Sequence, residues 1–132
     1  MRRTDASGGE PPVKNFLMIL VCVLLGVVGQ LMLKHGMSSG EEVDEVSEVL
    51  PRLLRAATNP LVIAGFGAYF VSAALWLIVL TRTELSYAYP MLAMGYICVV
   101  FLSRVLFHEA VTPTRFLGTI VVAVGVWLIS RT

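Results

Sequence analysis

Apolar residues in this chain gather into four long blocks separated by short polar stretches, instead of alternating with polar residues along one face. A helix that crosses a hydrocarbon core of roughly 30 Å needs about 20 such residues. The first block runs from Phe16 to Leu33 and carries one polar residue, Gln30. The second runs from Pro60 to Leu80 without a charge and opens on Asn59-Pro60, with proline at a first helical position where its missing amide costs nothing. The third, from about Ser86 to Phe107, holds Arg104 near its end, where a long side chain reaches the headgroups. The fourth, from about Pro113 to Ser130, follows Thr112, an N-cap before another N1 proline. The first block is longer than the apolar core of a signal peptide and no small-x-small cleavage pattern follows it, so we expect it to be retained. The pattern predicts an all-α membrane protein with four transmembrane helices.

Between the first two spans the pattern changes. Val43, Val46, Leu50, Leu53, Leu54 and Ala57 recur at three- and four-residue steps, which puts them on one helical face. Ser39 and Glu42 fit a capping box, acids fill the first turns, and Arg52 and Arg55 sit near the end, as the helix dipole favours. An amphipathic helix over about 41–57, lying at the membrane surface, is therefore expected between the first and second spans, with Pro51 kinking or splitting it. The other reading is a solvated connector. Residues 1–14, with Gly8-Gly9 and Pro11-Pro12, are expected to form a mobile tail, and residues 15–132 a single domain.

Composition agrees with the pattern. Of 132 residues, 57% are hydrophobic and 14% charged, more apolar surface than a soluble domain of this size can bury. A net charge of +1 gives no basic patch for phosphate backbones and removes the case for nucleic-acid binding. Cys22 and Cys98 both lie inside apolar blocks and read as small buried hydrophobes. Positive charge is balanced across the membrane. Arg2, Arg3, Lys14, Arg82 and Arg131 fall on one side, and Lys34, Arg52, Arg55, Arg104 and Arg115 on the other. Loop charge sets orientation only when the two sides differ. Either the chain inserts both ways and pairs antiparallel with itself, or a partner or the tail charges fix one orientation; the tail favours cytoplasmic termini.

Polar groups within the hydrocarbon are costly and therefore functional candidates. Gln30 and Lys34 are four residues apart on one face, where an ammonium and an amide together suit a phosphate; the competing reading is a buried Gln and a snorkelling Lys. Tyr87-Ala88-Tyr89-Pro90 puts hydroxyls beside a helix-breaking proline, or simply forms an aromatic belt. Glu109, just before the fourth span, either binds a cation, compensates Arg104 or Arg115, or serves as a loop carboxylate. The sequence contains no recognisable nucleophilic triad, metal-ligand spacing or glycine-rich phosphate loop, so a transporter or scaffold is expected in place of an enzyme, with no cofactor. Ala64, Ala68 and Ser72 in the second span, and Gly118 and Gly125 in the fourth, offer faces for close helix packing, and dimerisation is the natural way for four short helices to enclose a pathway.

The segment His108-Glu109-Ala110-Val111-Thr112-Pro113 resembles the signature of the drug/metabolite transporter superfamily, a glutamate followed by Ser/Thr-Pro at the last helix of a four-helix unit. Gly29-Gln30-Leu31 with Lys34, Leu75-Trp76-Leu77-Ile78-Val79-Leu80, and Ala88-Tyr89-Pro90-Met91-Leu92 further resemble the small subunits of the aminoarabinose-phosphoundecaprenol flippase. The resemblance implies a homodimer or heterodimer of four-helix chains that moves a lipid-linked sugar phosphate across a bacterial inner membrane. It also names a competitor, the small multidrug exporters, which carry a membrane glutamate three residues before the glycine that aligns with Gly29. Here that position is Gly26, and the first three spans contain no acid for coupling export of a hydrophobic cation to protons. A non-transporting scaffold for a glycosyltransferase is a third reading. On the flippase reading, Lys34 takes the phosphate with Gln30 in support. Tyr89, the backbone freed by Pro90, and Glu109 meet the sugar and its amine, and Arg104 is a reserve phosphate ligand placed at the opposite membrane face.

Overall fold

The computed structural model describes residues 12–38 and 45–132. Within them the chain forms α1 (Pro12–Met37), a 3-10 turn (Val46–Glu48), α2 (Val49–Ala56), α3 (Pro60–Arg82), α4 (Leu85–Leu106) and α5 (Pro113–Ser130). Helices α1, α3, α4 and α5 are each long and apolar enough to cross a membrane. The four expected spans are present, with α1 extended at both ends: it begins at Pro12, within the stretch read as tail, and passes through Lys34 to Met37. Both N-caps form as the sequence indicates. The Asn59 side chain accepts from the Leu61 amide at 3.0 Å, and the Thr112 hydroxyl accepts from the Arg115 amide at 3.2 Å, each with proline next in line.

The segment expected as a helix over about 41–57, kinked or split at Pro51, is described from residue 45 on. There a 3-10 turn leads into regular α-helix from Val49, and Pro51 sits in the first turn of α2, where no amide partner is lost. The Ser39–Glu42 capping box and Val43 lie outside the described residues. Leu50, Leu53 and Leu54 on α2 remain exposed.

Helix α1 packs along α3 and also against α4, α5 packs on α4, while α3 and α4 hardly touch. A thin core forms around α1, with Ile19, Val23 and Val27 meeting Val79, Ala88, Met91 and Val126. Large apolar side chains such as Phe70, Phe101 and Trp127 point outward, as they do where lipid replaces water outside the fold. The α1–α3 seam is set by two glycines that let the backbones meet. A Cβ on Gly29 would lie 2.9 Å from the Gly65 carbonyl oxygen, and one on Gly65 would lie 3.0 Å from the Gly29 oxygen. Lower along the seam, the Ser72 hydroxyl donates to the Cys22 carbonyl at 2.8 Å and the Cys22 thiol donates back to the Ser72 carbonyl at 3.1 Å. At the other end, the Asn59 amide donates to the Gly36 carbonyl at 3.2 Å.

This seam differs from the expected one. The buried positions of α3 are Val62, Gly65, Ser72 and Val79, so Ser72 belongs to the packing face while Ala64 points away and Ala68 is half-buried. Gly118 and Gly125 on α5 have no atom within 4 Å of a built Cβ, so within this chain their faces are open.

Candidate functional site

Because α3 and α4 stand apart with α1 behind them, a groove of about 490 Å³ opens between them. Its floor is the α1 face of Cys22, Val23, Gly26, Val27 and Gln30; one wall carries Tyr69, Ser72 and Trp76 of α3, the other Leu92, Gly95 and Tyr96 of α4. These residues put an amide, three hydroxyls and an indole in a setting otherwise made of apolar side chains, where a polar ligand group gains most from a hydrogen-bond partner. No described lining residue is charged. A Cβ on Gly26 would lie 3.1 Å from the Ser72 hydroxyl, so the position occupied by a glutamate in the small multidrug exporters faces both this groove and the α3 seam.

One helical turn beyond Gln30, Lys34 forms an ion pair with Glu109, and its ammonium lies 4.8 Å from the centre of the Phe107 ring. His35 stacks obliquely on the same ring at 6.2 Å. Glu109 reaches this place because α4 ends at Leu106 with Phe107 as its C-cap, and His108 then turns left-handed, with φ 53°, so that the chain doubles back and the Glu109 amide approaches the Ser103 carbonyl at 3.4 Å. Neither ion is deeply buried; the side chains are 44% and 36% exposed.

The structure divides the expected site residues into two groups. Gln30 lines the groove, and Lys34, one helical turn further along α1, meets Glu109. Thus Glu109 compensates Lys34, a pairing not among the charges first considered for it. Arg104 is in the last turn of α4, at the same end as Lys34 and Glu109 and not at the opposite membrane face: the antiparallel course of α1, α3 and α4 brings the close of α1 and of α4 together. Tyr89 and Pro90 lie near the start of α4, about 27 Å along the helix axis from Phe107. Pro90 does not break α4; it removes the amide that would bond the Ser86 carbonyl, and the helix continues. Tyr89 stands edge-on to Trp76, with ring centres 5.9 Å apart, behind the groove wall.

Tyr69, Ser72, Trp76 and Tyr96 were not singled out as site residues from the sequence. A signal was present, since Ser72, Tyr69 and Tyr96 are polar groups in the middle of apolar spans, but it does not say which face of a helix they occupy.

Four helices able to span a membrane, three of which line a groove that carries a few polar groups among apolar ones, define a multi-pass membrane protein. The EamA-like transporter family matches residues 45–131, and the chain belongs to that family. Among its relatives, a protein of Proteus mirabilis (strain HI4320) named as a probable 4-amino-4-deoxy-L-arabinose-phosphoundecaprenol flippase subunit ArnF is 33% identical, over 89% of this chain and 92% of the relative. An ArnF of Serratia proteamaculans (strain 568), similarly named, is 34% identical over 82% and 85%. A probable flippase subunit ArnE of Pseudomonas savastanoi pv. phaseolicola (strain 1448A / Race 6) is 29% identical over 89% and 97%. No solved structure matches.

Proposed function

We propose that this chain is a small subunit of a flippase that moves a lipid-linked sugar phosphate, of the undecaprenyl phosphate–amino sugar kind, across a bacterial inner membrane, paired with a second copy or with a similar four-helix subunit. The carrying observation is the groove between α3 and α4, with a few polar groups and no charge among its described lining, and the Lys34 ammonium one helical turn beyond its Gln30. A polyprenyl tail is at home in lipid, whereas its phosphate and sugar cross only where polar partners replace water. A groove open on its long side lets the tail stay outside while the headgroup travels within. Tyr69, Ser72, Tyr96 and Gln30 provide hydroxyls and an amide for the sugar, and the ring of Trp76 a flat apolar face. Lys34 holds the phosphate with Gln30 one turn deeper. Arg104, at the same end, is the reserve phosphate ligand, and Tyr89 with Pro90 serves the far end of the path. In this reading α2 lies on the membrane surface by Leu50, Leu53 and Leu54.

The test is headgroup translocation in vesicles reconstituted with the protein, alone and with a similar subunit, using a synthetic polyprenyl phosphate amino sugar. Lys34→Ala is expected to cut the rate at least about tenfold, the worth of one charge-assisted contact, with helicity unchanged. Wild-type rates for Lys34→Ala place the phosphate elsewhere. No movement with either assembly overturns the flippase reading and favours a membrane scaffold.

A further inference from the structure

The Lys34–Glu109 pair gives the C-terminal end of α1, one turn beyond the groove's Gln30, a specific electrical character. A site with a lone ammonium accepts any phosphate. Here the ammonium already has a carboxylate partner, carried on the short connection between α4 and α5. An incoming phosphate must take that partner's place, and the displaced Glu109 then needs a cation of its own or a return to water. A ligand with only a negative charge satisfies Lys34 at Glu109's expense. A ligand with both a phosphate and an ammonium satisfies both, because one ion pair is replaced by two and no charge is left over.

Building on the flippase reading, we propose that the Lys34–Glu109 ion pair is an internal stand-in for a zwitterionic headgroup, opened by exchange, so that Glu109 selects lipid-linked phosphates that carry an amine over those that carry only hydroxyls. Three features support exchange over a fixed structural bridge. The two ions are partly exposed, so an incoming headgroup can reach them. They sit on separate elements, α1 and the α4–α5 connection. The Phe107 ring lies against the Lys34 ammonium and keeps a favourable contact when the carboxylate departs, so the cation is not stranded during the exchange. The left-handed His108 just before Glu109 marks the one place among the described residues where a non-glycine backbone is held in that region, and it aims the carboxylate back toward α1.

The experiment compares two synthetic lipids of equal tail length, a polyprenyl phosphate 4-amino sugar and its 4-hydroxy counterpart, in vesicles containing the wild-type protein with whichever subunit supports transport. The wild type is expected to favour the amino lipid by about tenfold or more, the discrimination of one charged hydrogen bond. Glu109→Gln is expected to bring the preference to within about twofold by slowing the amino lipid and speeding the hydroxy lipid, since Lys34 is now unpartnered and no carboxylate is displaced. A bridge with a merely structural role slows both lipids together. The double variant Lys34→Gln with Glu109→Gln leaves no unpaired charge and controls for folding; it is expected to move both lipids slowly and without preference. An undiminished amino preference in Glu109→Gln, equal slowing of both lipids, or wild-type preference in the double variant overturns the exchange while the flippase reading stands. Absence of movement of either lipid by the wild type overturns both.

Discussion

The sharpest physical test of the fold is one methyl group at Gly29. In Gly29→Ala the new carbon lies 2.9 Å from the Gly65 carbonyl oxygen and 3.0 Å from the Tyr69 amide nitrogen. Ordinary contact begins near 3.4 Å, so α1 and α3 must separate by about 0.5 Å at this level. Both obstacles are backbone atoms, and no rotamer change relieves them. The separation also lengthens the 2.8 Å bond from the Ser72 hydroxyl to the Cys22 carbonyl, two turns along the same seam. Overpacking of this kind costs about 1–3 kcal/mol. Gly67→Ala is the matched control, because its methyl meets nothing within 4 Å and alanine is the better helix former by about 0.5–1 kcal/mol. Reversible unfolding in mixed detergent micelles, followed by the fluorescence of Trp76 and Trp127, gives both values. We expect Gly29→Ala to be destabilised by about 1–3 kcal/mol and Gly67→Ala to be neutral or stabilised. Equal stabilities for the two variants, to within about 0.5 kcal/mol, would refute the close backbone seam.

Other consequences are open to direct measurement. The open faces at Gly118 and Gly125 are expected to meet a second subunit, so replacing both with Leu should abolish the cross-linked dimer in mild detergent; an unchanged dimer yield sinks that assignment. With Gly26 at the position of the exporters' glutamate and no charged residue among the described groove lining, expression in a pump-deficient host should confer no resistance to quaternary ammonium dyes. Resistance that collapses with the proton gradient would restore the exporter reading.

Much of this architecture is dictated locally. Lipid offers no hydrogen bonds, so each crossing segment must satisfy its own backbone as a helix, and length and hydropathy alone mark where it lies. The caps at Asn59-Pro60 and Thr112-Pro113 are equally local, since side chain and orphan amide are two or three residues apart. Gln30 and Lys34 follow from the helical repeat, and the glutamate before the last helix from its motif.

The faces were decided only by the tertiary structure. In water, the core side of a helix announces itself by a change of polarity, but in a bilayer the lipid side and the protein side are equally apolar, so the periodicity that assigns a face is lost. Ala64-Ala68-Ser72 and the Gly65–Ser72 seam look alike in the sequence; close backbone contact selects the second. For the same reason Tyr69, Trp76 and Tyr96 could not be assigned to a groove before α3 and α4 were seen to stand apart. The Lys34–Glu109 pair depends on contact between residues far apart in the chain, made possible by the antiparallel return of α4 and the left-handed turn at His108, and no spacing rule links them.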